Sequence, residues 1–74
     1  MVKYYRKLKV NSIYRTEETK FSDGTPTLKV QRWNWEFGNW NGHIADHEKT
    51  RKQIEEGVEI VPITKEEAYK IINL

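Results

Sequence analysis

Residues 27–37 carry apolar side chains in two incompatible phases. In an extended chain Leu28 and Val30 occupy one face, while Trp33, Trp35 and Phe37 occupy the other with Lys29 and Gln31. One regular strand cannot turn both sets toward the same core. Either the sheet is apolar on both sides, or the strand shifts phase at a bulge near Gln31 and Arg32.

Few other residues are available to build a core. Of 74 residues only 36% are apolar or aromatic, and three Trp, four Tyr and two Phe make up much of that share. A chain of this length buries only about 60% of its unfolded surface, so the aromatic rings must supply much of the core. A homodimer that adds buried area is expected for the same reason. The chain is too short for two cores, so residues 1–74 form one domain. Its longest apolar run is two or three residues, against the roughly 18–20 that cross a bilayer. The N-terminal run Met-Val-Lys-Tyr-Tyr-Arg-Lys has no apolar core of a secretory signal. Absence of Cys excludes disulfides, thiolate zinc sites and a Cys nucleophile. A cytoplasmic location fits these features.

The net charge of +2 conceals an asymmetry. Residues 1–37 hold eight basic and four acidic side chains (+4), and residues 38–74 hold five basic and seven acidic (−2). The first fifteen residues contain Lys3, Arg6, Lys7, Lys9 and Arg15 and no acid. Such a basic strand attracts phosphates or acidic proteins, and Lys also protects an exposed sheet edge.

Along the chain, residues 4–10 alternate as a strand until Asn11-Ser12 interrupts them with a turn or bulge. A second strand spans residues 13–20. Ser22-Asp23-Gly24-Thr25-Pro26 is a turn: Gly supplies positive φ and Asp bonds its own backbone. The long strand of residues 27–37 follows, Gly38-Asn39 is a two-residue hairpin signal, and residues 40–44 return. Residues 3–44 therefore read as an antiparallel meander of three or four strands. Asp46 is placed to cap a helix over 46–56, which Gly57 ends. Ile54 is its one strong apolar residue, so this helix docks weakly or docks on a partner. Residues 58–63 are extended. A helix over 64–73 begins at Thr64, with Glu67 completing a capping box and Ile63 stapling onto Ala68. Its stripe is Ala68, Ile71 and Ile72. The expected fold is α+β, with the C-terminal helix packed on the sheet.

Two groups of residues carry chemistry worth weighing. Trp33, Trp35 and Trp40 beside Lys29 and Arg32, with Tyr5 and Lys7 on the basic first strand, form an aromatic-basic set. Bases stack on such rings, protein partners use the same residue types as anchors, and a small core uses them as packing. His43, Asp46 and His47 space like metal ligands, but a surface pair of His beside a capping Asp is the simpler account, and neither metal nor cofactor is expected. Ser12 and Ser22 lie in turns, no glycine loop cradles phosphate, and the Glu pairs are solvated charges, so no enzyme activity is expected.

Gln31-Arg32-Trp33 with Trp40, then Gly57 and the tail Ile63-Thr64-Lys65-Glu66-Glu67-Ala68-Tyr69, resemble the small orphan proteins found in phages and prophages. The resemblance covers less than half the chain and assigns no residue a role. It implies a protein that binds a host macromolecule without chemistry of its own, as an accessory or inhibitory factor. The expected function is non-enzymatic binding of a protein partner through the aromatic-basic sheet face. The alternative is binding of single-stranded nucleic acid or a nucleotide through the same face.

Overall fold

The two phases of the long strand are both used, because the sheet buries side chains on both faces. The computed structural model describes residues 1–42 and 47–73. The His43 and Asp46 expectations, for metal binding and helix capping, lie outside the described residues. In chain order the elements are β1 (Val2–Lys7), β2 (Ile13–Lys20), β3 (Pro26–Asn34), β4 (Asn39–Asn41), α1 (His47–Glu56), β5 (Ile60–Ile63) and α2 (Lys65–Ile72). The strands form one five-stranded sheet in the order β4-β3-β2-β1-β5, with every neighbouring pair antiparallel. The fold is thus α+β. The meander appears as expected, and the extended stretch before α2 joins it as a fifth strand along β1.

Register assigns the faces, since directly paired residues share one. Ile63, Tyr4, Arg15 and Gln31 form one cross-sheet row. On the same face Ile13 and the Trp33–Trp40 pair lie one step toward the β1–β2 loop. Ala68 of α2 is fully buried against Tyr4 and Ile13, with Ile63, Tyr69, Ile71, Ile72, Trp33 and Trp40 packed around them. The opposite face carries the row Pro62, Tyr5, Tyr14, Arg32 and Asn41. It buries Tyr14, Thr16, Val30 and Ile60. Polar as it is, α1 buries Thr50 and lines a cleft on this face through Ile54, opposite Tyr5, Thr16 and Leu28.

Local signals fix the element ends. Thr64 caps α2 with a complete capping box: its side chain accepts from the Glu67 N–H, and the Glu67 carboxylate accepts from the Thr64 N–H. Gly57, at φ 68°, ends α1 with its N–H on the Gln53 carbonyl at 3.1 Å. At the β2–β3 hairpin, Asp23 Oδ1 accepts from the Thr25 N–H at 2.9 Å and Gly24 takes φ 87°.

Two strand ends differ from expectation. β1 stops at Lys7, where its N–H meets the Ser12 carbonyl at 2.9 Å and Lys9 adopts φ 71°. Leu8 and Val10 therefore sit in a loop and are exposed. β3 stops at Asn34, whose side chain accepts from the Glu36 and Phe37 N–H groups at 3.0 and 3.1 Å while its carbonyl accepts from the Gly38 N–H at 2.8 Å. The turn is residues 35–38 and β4 begins at Asn39, so Trp35 and Phe37 leave the face shared by Lys29, Gln31 and Trp33.

The outer edge of β5 has a defined polarity. The Leu8 N–H donates to the Glu59 carbonyl at 2.8 Å. Bonded and non-bonded pairs alternate in an antiparallel ladder, so Ile60 and Pro62, opposite Lys7 and Tyr5, turn their backbone polar groups away from β1. Pro62 thus stands where its missing N–H would point outward.

Candidate interaction surface

The aromatic set divides into a packed group and an exposed one. Trp33 and Trp40 are cross-strand partners with ring centroids 5.3 Å apart, edge to face. Tyr4 lies 6.0 Å from Trp40 and 5.9 Å from Tyr69, so four rings from β1, β3, β4 and α2 form one cluster. The Arg15 guanidinium lies 4.5 Å from the centroid of a Trp40 ring and donates through Nε to Gln31 Oε1 at 2.6 Å. Burial pushes the Tyr4 hydroxyl pKa up, and its bond to Tyr69 adds to that. The Trp40 indole N–H, bonded to the Tyr69 hydroxyl, draws the Tyr69 pKa down. Trp40 is thus engaged inside the protein by Tyr4, Trp33 and Arg15.

Trp35 is placed differently. The residue is 47% exposed, yet its indole N–H donates to the Asn11 carbonyl at 2.7 Å. This bond ties the β3–β4 turn to the β1–β2 loop. The antiparallel order brings a third connection to the same end of the sheet: β5 starts opposite Lys7, at the end of β1, so Gly57, Val58 and Glu59 lie beside the β1–β2 loop. Leu8, Val10, Trp35, Phe37 and Val58, all exposed, are thereby collected at one end of the sheet on three neighbouring loops. Leu8, Lys9, Val58 and Glu59 line a cleft of about 420 Å³.

Of the residues singled out from the sequence, Trp33, Trp40 and Lys29 share the face under α2, the two Trp half-buried and Lys29 exposed. Tyr5, Lys7 and Arg32 lie on the opposite face, where Tyr5 and Arg32 both neighbour Tyr14 and Lys7 faces Ile60. Trp35 belongs to neither face and stands at the loop end. The structure therefore brings these seven residues to three places. Leu8, Val10, Phe37 and Val58 were not singled out. Their signal was an apolar residue inside or beside a turn, as Leu8 and Val10 are next to Asn11-Ser12 and Val58 is after Gly57.

Among the described residues no group of three or more His, Asp or Glu side chains is placed to hold a metal ion, and no helix is long and apolar enough to cross a membrane. Comparison of the chain with protein-family models, curated proteins and solved structures gave no match.

Proposed function

We propose that this chain is a non-enzymatic binding protein that engages a protein partner through its loop end, with Trp35 and Phe37 as the anchor. The observation that carries this reading is the internal bond of Trp35: an exposed ring held in place by the Asn11 carbonyl. A fixed ring loses little conformational freedom on binding, and Trp is prominent among the residues that dominate protein interfaces. Its one polar atom is already satisfied, so burying the ring leaves no orphaned donor. The N–H groups of Glu36, Phe37 and Gly38 are satisfied by Asn34 as well.

Charge favours a protein over other surfaces. Glu36 lies between the two anchor residues in the chain and is exposed with them, so it would meet phosphates in a nucleic-acid complex and would be drawn toward hydrocarbon in a bilayer. Photo-crosslinking tests the reading. A benzophenone side chain replaces Phe37 in one variant and Lys29, on the α2 face, in another. In a lysate of the source organism, adducts that form from position 37, exceed those from position 29 and survive nuclease support the proposal. No adduct from position 37, or adducts that vanish with nuclease, overturn it.

A further inference from the structure

We infer that, when no other protein occupies it, the loop end is covered by a second copy of this chain. The inference rests on reading that end as a protein-binding surface, and it names an occupant. The argument is the order of charges. The sheet order places the β3–β4 turn, the β1–β2 loop and the α1–β5 connection side by side, so their exposed charges run Glu36, Lys9, Glu59. A row that alternates in sign along one edge is self-complementary. A two-fold axis passing between the first two loops sets Glu36 of each copy opposite Lys9 of the other. The same operation lays Trp35 and Phe37 of one protomer over the β1–β2 loop of its partner, where Val10 is exposed.

A surface with one sign of charge would repel its own copy, and a basic one would suit phosphates. The alternating row does neither, and like charges brought together across a contact are costly enough to exclude wrong pairings. Self-association of this kind hides the Trp35 ring, so the dimer and a complex with another protein exclude one another at this surface. The dimer is then the resting form, and dissociation exposes the anchor.

The experiment is sedimentation equilibrium of purified wild type, Glu36→Lys and Lys9→Glu, each from low to high micromolar and each first shown by circular dichroism to fold. Both substitutions fall on exposed loop positions. Wild type is expected to dimerise, and each single reversal to weaken dimerisation at least about tenfold, because it sets like charges opposite one another twice per dimer. An equimolar mixture of the two reversed chains restores both contacts and forms a heterodimer. The chain carrying both reversals regains self-association for the same reason. Wild type that stays at 8.9 kDa throughout overturns the inference, and so do reversals whose mixture fails to associate. Either failure leaves the position-37 adducts to a foreign protein intact if the broader reading holds, so the two are separated.

Discussion

The indole N–H of Trp35 donates to the carbonyl of Asn11 at 2.7 Å, joining two loops that lie 24 residues apart in sequence. Replacing Trp35 with Phe keeps a ring and removes that donor. Because the bond is exposed and Asn11 can turn to water, the loss of global stability is expected to stay below about 1 kcal/mol. Local order should fall more. Amide exchange at residues 35–38 is expected to quicken while exchange in β2 is unchanged, a contrast that two-dimensional NMR resolves.

Trp35 and Trp40 are expected to part company when truncated. Trp40 packs on Trp33 and Tyr4 and lies under Arg15. Trp40→Ala removes all three interactions and should cost about 3 kcal/mol in urea denaturation. Trp35→Ala should leave the unfolding free energy within about 0.5–1 kcal/mol of wild type, since the residue is half-exposed at the sheet end.

The fully buried residues mark where the fold fails first. Ile13 is 1% exposed and Ile60 is buried completely, on opposite faces of the sheet. Either Ile→Ala change should cost about 2–5 kcal/mol, a large part of the roughly 5–15 kcal/mol typical of a domain. Thr64→Ala, which removes the capping side chain of α2, should cost about 1 kcal/mol. Ile72→Ala should fall between these, because Ile72 is only half-buried on the edge of the cluster. Chemical denaturation of the four variants gives the order directly.

Acid should loosen the β2–β3 hairpin before the rest of the sheet. The Asp23 carboxylate accepts the Thr25 N–H, and that bond holds its pKa below the ordinary Asp value of 3.8. A depressed carboxyl contributes its stability above the unfolded pKa and loses it as pH falls through the folded value. The Thr25 amide resonance should therefore titrate below pH 3.8, and Asp23→Asn should abolish that titration while leaving the α2 amides unmoved.

Features encoded within a few residues of one another were legible in the sequence. The β2 boundaries, the Asp23-Gly24 turn, the Gly57 stop and the Thr64–Glu67 box all follow from neighbours in the chain. The double phase of β3 left two readings, a sheet apolar on both faces or a bulge near Gln31 and Arg32, and the first is the one the sheet adopts. What escaped was decided elsewhere. The alternation of Trp33, Trp35 and Phe37 runs on past the point where the Asn34 side chain folds the backbone into a turn, so periodicity alone extends the strand too far. The same holds for Leu8 and Val10, whose alternation continues β1 into a loop. The pairing of β5 with β1 joins positions more than fifty residues apart, such as Lys7 with Ile60, which no local pattern announces. The loop end depends on all three of these outcomes together.

A sheet polymerises where its last strand presents donors and acceptors in alternation to whatever strand arrives next. On the β5 side the position of Pro62 withholds a donor at the second outward-facing residue, so an incoming strand would leave an acceptor without a partner. A single residue thus opposes growth in that direction. Pro62→Thr, which supplies the donor on a β-favouring side chain, is expected to form thioflavin-positive assemblies at concentrations where wild type stays clear. The ring of Pro62 would then be acting as the terminus of the sheet, in the way a capping subunit ends a filament.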